Sequence, residues 1–171
     1  MKMNCANCLG SEGECWCFSI KGSQLVAFQK VMKKDMGIQA EIEIQNHSDL
    51  ILNTGRHKAE LNLPALERAV YFMFLHQPDG IVLKQIGEFG SLLHELYSRF
   101  NNRLDVESCK ATTEKLMDLS SNRLYESIAK INSKIKCLMG ADFVALFGIK
   151  GKKAGVYRIA ATIRENRHKQ G

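Results

Sequence analysis

Four cysteines near the start of the chain are the clearest candidates for metal ligands. Cys5, Cys8, Cys15 and Cys17 have the spacing C-x2-C-x6-C-x-C, with two glycines between them that permit tight turns. Four thiolates can bind one Zn²⁺ tetrahedrally, and such a site is structural because no position stays open for catalysis. The C-x2-C pair is typical of zinc ligands and the C-x-C pair is less usual. The alternative is a segment of free thiols or a redox pair.

Basic side chains concentrate in the last third of the chain. Residues 122–171 contain eleven Lys or Arg and three Asp or Glu, a net charge of +8. Residues 1–63 have a net charge of 0 and residues 64–121 of −2, which gives +6 for the whole chain. This distribution predicts binding to nucleic acid or another polyanion. The plainer interpretation is a solvated basic surface that ends in a frayed tail.

The stretch SSNRLYESIAKINSKIKCLM, residues 120–139, predicts an amphipathic helix. Leu124, Ile128, Ile131, Ile135 and Leu138 are separated by 4, 3, 4 and 3 positions. In a helix this spacing gives one narrow apolar stripe, which packs against a core. The remaining side chains of the stretch are polar, small or basic, so we expect them to face solvent.

A lysine-rich segment, KGKKAG, follows this stretch. Two β-rich runs, 143–149 and 156–163, flank it, which predicts a hairpin with Lys150, Lys152 and Lys153 at its tip. Such a tip could prevent aggregation at a strand edge or could contact phosphates.

Other elements precede these two. The alternating run 38–45 and the runs DLILN and HKAELNL predict an antiparallel sheet of three strands, with Glu41 and Glu43 on its solvated side. Pro64 is expected to begin a helix that Pro78-Asp79-Gly80 ends. GIVL is expected to be a short extended piece, and 84–100 a second helix. SCKATTEKLMDL could be a short extra helix.

This order, with these residues, resembles the winged-helix output domain of OmpR/PhoB-type response regulators. LNLPALERAVYFMFLHQPDGIVL is similar to the first helix and following strand of that family. NRLYESIAKINSKI is similar to its recognition helix, expected at about 121–138, and FGIKGKKAGVYRI to its wing, expected at about 148–156. The resemblance implies an α+β fold, a winged helix-turn-helix with an N-terminal antiparallel sheet and a C-terminal β-hairpin wing. About 37 residues precede the module, too few for a doubly wound domain. We therefore expect the module without a receiver domain.

The resemblance implies a transcriptional regulator that binds double-stranded DNA. In such a complex phosphate contacts set the register and polar side chains on the exposed helix face read base edges. The candidate phosphate contacts on the helix are Arg123, Lys130 and Lys134. The candidate base contacts are Tyr125, Glu126, Ala129, Asn132 and Ser133. The candidate wing contacts are Lys150, Lys152, Lys153 and Arg158. The alternative is a protein-interaction module with the same fold and without DNA, because fold does not fix function. The partner would then be another protein or a second copy.

The expected organisation is a cysteine-rich appendage with a possible helix at 1–37, a winged-helix domain at 38–163 and a basic tail at 164–171. No set of residues argues for an enzyme: the histidines form no ligand-spaced pair, and the chain lacks both the phosphate-loop spacing and a G-x-S-x-G turn. No apolar run approaches the roughly 18 residues of a membrane span, and no signal-peptide stretch opens the chain. We therefore expect a cytoplasmic protein.

Overall fold

The computed structural model describes residues 40–101, 105–152 and 155–165, all of which belong to the unit Gln39–Gly171. In these residues the fold is α+β, with a mixed four-stranded sheet, a second two-stranded sheet and five α-helices. The cysteine-rich segment with its candidate zinc ligands, the expected helix before residue 37 and Lys153 lie outside the described residues.

Three short antiparallel strands form the first part of the sheet, as predicted. They are β1 (Glu41–Gln45), β2 (Asp49–Asn53) and β3 (Lys58–Glu60). Because side chains alternate between the two faces of a strand, the apolar positions share one face. Ile42 lies opposite Leu52, and both side chains are fully buried.

The fourth strand, β6 (Thr162–Glu165), pairs with β1 in parallel, so the sheet order is β3-β2-β1-β6. This strand was not predicted, because the run 156–163 was expected to be one continuous strand of a hairpin. Arg164 and Glu165, assigned above to the basic tail, belong to β6.

The polar side of the sheet differs from the expectation. Glu43 is not on a solvated surface, since it is only 5% exposed. Its Oε1 accepts hydrogen bonds from Lys58 Nζ at 2.9 Å and Asn53 Nδ2 at 2.7 Å. These bonds, the Lys58 bond foremost, hold the pKa of the Glu43 carboxyl below its ordinary value although burial opposes them.

Helices follow the sheet in the predicted order. They are α1 (Ala65–Leu75), α2 (Gly90–Phe100), α3 (Val106–Met117) and α4 (Arg123–Met139), and the two-residue strand β4 (Ile81–Val82) lies between α1 and α2.

Local signals in the sequence explain where these helices begin. Pro64 is the N-cap of α1, consistent with the preference of proline for a helix start. A 3-10 helix, Leu83–Phe89, leads into α2 where the sequence carries two glycines. The α3 helix, expected only as a possible extra helix, is capped by Asp105, whose carboxylate accepts a hydrogen bond from Ser108 N–H at 2.8 Å.

The core is centred on α1, which packs on α2 and α4 and is buried over most of its length. Its Tyr71 is fully buried and donates a hydrogen bond from its hydroxyl to the carbonyl oxygen of Phe147 at 2.7 Å. Burial raises the pKa of Tyr71 above its ordinary range, so this hydroxyl stays a donor. The bond joins α1 to the segment that precedes the hairpin.

The run 143–149, predicted as the first strand of the hairpin, is mostly helical, so that prediction was wrong. A 3-10 turn, Ala141–Phe143, leads into the one-turn helix α5 (Val144–Phe147). This places Val144 and Phe147 in the core. A short apolar run cannot be assigned to strand or helix from periodicity alone, and its β-branched residues favoured the wrong choice.

None of the helices within the described parts of the chain is long and apolar enough to cross a membrane.

Candidate functional site

The α4 helix is amphipathic, as the spacing of its apolar residues predicted. Leu124, Ile128, Ile131 and Ile135 are buried, and Leu138 packs against the core from a partly buried position. The helix extends from Arg123 to Met139, close to the predicted 121–138. Its apolar stripe therefore fixes which side of the helix can face solvent.

A tight turn joins α3 to α4. The Asp118 carboxylate accepts hydrogen bonds from the N–H and hydroxyl of Ser120, and the Ser121 hydroxyl donates to the carbonyl oxygen of Lys115 at 2.9 Å. Asn122 then adopts a left-handed conformation, φ 56°, which asparagine tolerates well. The turn leads directly from α3 into α4, and the two helices contact each other.

The side of α4 opposite the core is exposed. Seven of the eight candidate residues on α4 are exposed, and Tyr125 among them is a large apolar ring with 39% of its surface exposed. Together with Lys136 they form what we call the outward face of α4: Arg123, Tyr125, Glu126, Ala129, Lys130, Ser133, Lys134 and Lys136.

Asn132 is the eighth candidate, and its side chain is used within the protein. Its Nδ2 donates to the carbonyl oxygen of Ile149 at 3.0 Å, and its Oδ1 accepts from Ile149 N–H at 2.9 Å. Ile149 is buried and directly precedes the lysine-rich segment. The Asn132 amide therefore ties α4 to the base of that segment instead of pointing freely to solvent.

Residues 150–152 and 155–158, which we call the hairpin, are joined by a single antiparallel bridge and not by the two strands predicted from 143–149 and 156–163. Lys150 N–H donates to the Arg158 carbonyl at 3.0 Å, and Arg158 N–H donates to the Lys150 carbonyl at 2.9 Å. Nearer the tip, Gly155 N–H donates to the Lys152 carbonyl at 2.7 Å. The side chains of Lys150, Lys152 and Arg158 are all exposed.

Packing anchors this hairpin to the rest of the protein. Its second arm contains β5 (Val156–Tyr157), which pairs antiparallel with β4. A Cβ on Gly151 would overlap the Tyr157 ring, so glycine is required for the close approach. Gly80 also packs closely against β5, because a Cβ at this position would overlap Val156 and the Tyr157 carbonyl. Its φ of +90° likewise favours glycine.

Helix geometry divides the outward face of α4 into two flanks. Successive residues of an α-helix are turned by about 100°, so positions seven or four apart lie on nearly the same side. Tyr125 and Lys136 therefore share a side with Asn132, which faces the hairpin. We call this side the hairpin flank. Arg123 and Lys134 share the other side with Lys130. We call this side the α1 flank. Glu126, Ala129 and Ser133 lie between the flanks.

The second flank faces the start of α1. Lys130 Nζ lies 3.6 Å from Glu67 Oε1, and the Glu67 side chain is only 10% exposed whereas that of Lys130 is 69% exposed. Lys130, Lys134 and Glu67 line a shallow groove together with the loop residues Asn62, Leu63 and Pro64.

Lys136 and Glu67 are not among the candidate residues predicted from the sequence. Lys136 could have been found from its position one turn after Asn132. Nothing in the sequence pairs Glu67 with Lys130, because they are 63 positions apart and meet only through the packing of α1 on α4.

The described residues offer no alternative metal site, since they contain no group of three or more His, Cys, Asp or Glu side chains that could bind an ion. Cys109 and Cys137, the two cysteines in this part of the chain, are buried and exposed respectively. The four-cysteine zinc site remains a prediction.

No family model, curated protein or solved structure matches this chain. The features that bear on function are therefore the geometry of α4 and the hairpin.

Proposed function

We propose that this chain binds double-stranded DNA as a transcriptional regulator with a winged helix. In this proposal α3 and α4 are the helix-turn-helix pair, α4 is the recognition helix, and the hairpin 150–158 is the wing. The observation that carries the proposal is the relation between these two elements. The outward face of α4 is exposed along the whole helix, and the Asn132 amide holds the basic hairpin beside that face.

The charge of this surface supports a polyanionic partner. The outward face of α4 contains four basic residues and one acidic residue, and the described part of the hairpin adds Lys150, Lys152 and Arg158. Phosphate contacts supply much of the affinity of proteins for DNA, and they come mainly from Lys and Arg side chains. A surface with this excess of exposed cations is suited to that contact.

The shape of the surface fits the same partner. The major groove of B-DNA admits one α-helix, and base edges are read by side chains on its exposed face. Between the two basic flanks, α4 presents Glu126, Ala129 and Ser133. Glu126 can accept from a cytosine amino group, and the Ala129 methyl can contact a thymine methyl.

The structure changes the proposed roles of two residues. Asn132 is assigned to positioning, because both polar atoms of its amide already bond Ile149. Lys136 joins the candidate phosphate contacts on the hairpin flank, beside the wing lysines. Tyr125 stays a candidate base contact, while Arg123 and Lys134 remain candidate phosphate contacts on the α1 flank.

A gel-shift series with random-sequence duplex at increasing salt tests the proposal. If six or more of the exposed cations contact phosphates, the slope of log K against log [salt] is about −5 or steeper. Retardation that weakens steeply with salt supports DNA binding. Absence of retardation at low salt would refute it and would favour the alternative, a protein partner or a second copy bound at the same surface.

A further inference from the structure

Glu67 has an unusual position for an acidic residue in a DNA-binding surface. It lies in the first turn of α1, its side chain is 10% exposed, and its Oε1 is 3.6 Å from Lys130 Nζ. It also lines the groove that Lys130 and Lys134 share. A nearly buried carboxylate thus lies near Lys130 and shares a groove with Lys134, one helical turn further along the α1 flank.

The geometry of this pair indicates attraction by charge rather than a hydrogen bond. Hydrogen bonds between nitrogen and oxygen are about 2.7–3.2 Å long, and the Lys130–Glu67 distance exceeds that range. Because Lys130 is 69% exposed, solvent screens the pair and it is easily broken. The lysine can therefore leave Glu67 for another anion, whereas the carboxylate is held in place by the helix.

We propose that Glu67 competes internally with DNA phosphate for Lys130 and so restrains binding to non-specific duplex. This inference rests on the proposed DNA-binding function. A contact between lysine and phosphate gains affinity mainly because a counterion condensed on the DNA is released. A lysine that is already neutralised by a carboxylate displaces fewer of these counterions. A phosphate that approaches Lys130 also meets repulsion from the fixed negative charge of Glu67.

The expected gain on removing this competition can be bounded. One full phosphate contact changes the salt slope by about 0.9, which corresponds to a factor of about eight in affinity near 0.1 M salt. The Glu67→Gln replacement keeps the shape of the side chain and removes its charge. It is therefore expected to tighten binding to a random duplex up to about eightfold and to steepen the slope by up to about 0.9.

The test is a double-mutant cycle with Glu67→Gln and Lys130→Gln, measured as duplex affinity across a salt series. The matched control is Glu60→Gln, which removes one exposed carboxylate from β3 and should leave the slope unchanged. We expect Lys130→Gln to cost less affinity in the wild-type background than in the Glu67→Gln background, where it should abolish the gain. Thermal unfolding of each variant checks that the fold persists.

The outcomes separate this inference from the proposed function. If the wild-type protein binds duplex but Glu67→Gln has the wild-type salt slope, the competition by Glu67 is refuted and DNA binding stands. Equal losses of affinity from Lys130→Gln in both backgrounds would also refute it, since Lys130 would then contact phosphate regardless of Glu67. If the wild-type protein binds no duplex, the proposed function itself fails.

Discussion

Replacing Asn132 with alanine should destabilise the protein and weaken the attachment of the hairpin to α4. The Asn132 amide makes two hydrogen bonds with the backbone of Ile149, at 2.9 and 3.0 Å. Ile149 is only 1% exposed, so the replacement leaves a donor and an acceptor at a buried residue without these partners.

The size of the effect follows from these two groups. A buried polar group that loses its partner costs about 1–3 kcal/mol, and less where water can reach it. Because Asn132 is half-buried, we expect Asn132→Ala to lower the free energy of unfolding by about 2–4 kcal/mol. Duplex affinity should also fall, because the direct link between the wing and the recognition helix is lost while the pairing of β5 with β4 remains.

Urea unfolding followed by circular dichroism measures the stability change. The control is Ser133→Ala, one residue further along the exposed side of the same helix, which should stay within about 0.5 kcal/mol of the wild type. If Asn132→Ala proves as stable as Ser133→Ala, the two Asn132–Ile149 hydrogen bonds do not contribute about 2–4 kcal/mol to the free energy of unfolding. Unchanged duplex affinity in a folded Asn132→Ala protein would show that the Asn132 link is not needed for binding.

Two further predictions concern other parts of the chain. The pKa of Glu43 is lower in the folded protein than its ordinary value of 4.5, so its contribution to stability is present above the unfolded pKa and is lost as pH falls through the folded pKa. The stability difference between wild type and Glu43→Gln should therefore shrink on acidification, and a difference that is independent of pH would contradict this. For the four N-terminal cysteines, native mass spectrometry of freshly purified protein should show one added zinc, and a metal-free mass would end that hypothesis.

The helical part of the fold could be predicted well from the sequence because its signals are local. The apolar stripe of α4, the proline that begins α1 and the glycine turn that follows it each depend on a few neighbouring residues. These signals gave the order of the elements and identified α4 as a helix with one free side. They also gave the three antiparallel strands, whose residues alternate between apolar and polar.

The wrong predictions concern segments whose secondary structure, pairing or burial depends on contacts between distant parts of the chain. The run before the hairpin is rich in β-branched and aromatic residues, yet it forms the one-turn helix α5, which places Phe147 against α1. The parallel pairing of β6 with β1 joins residues about 120 positions apart, and no local pattern indicates it. Glu43 was expected on a solvated face, but Asn53 from β2 and Lys58 from β3 bond its carboxylate and allow its burial.

The candidate site was predicted only in part for the same reason. The exposed side of α4 follows from its periodicity, so the exposure of most candidate residues on this helix was predicted correctly. The use of Asn132 as a tie to Ile149 and the pairing of Lys130 with Glu67 depend on which elements pack beside the helix. Such contacts can be identified only in the three-dimensional structure. They change the roles assigned to individual residues.

The central claim is that α4 and the basic hairpin form one surface for duplex DNA, and the hairpin lysines test it most directly. Duplex affinity should be measured for wild type and for Lys150→Ala combined with Lys152→Ala and Lys153→Ala, on two unrelated sequences across a salt series. We expect weaker binding by a similar factor on both sequences, with a salt slope reduced by roughly one unit for each phosphate that the hairpin no longer binds. Affinity and slope equal to those of the wild type would contradict it.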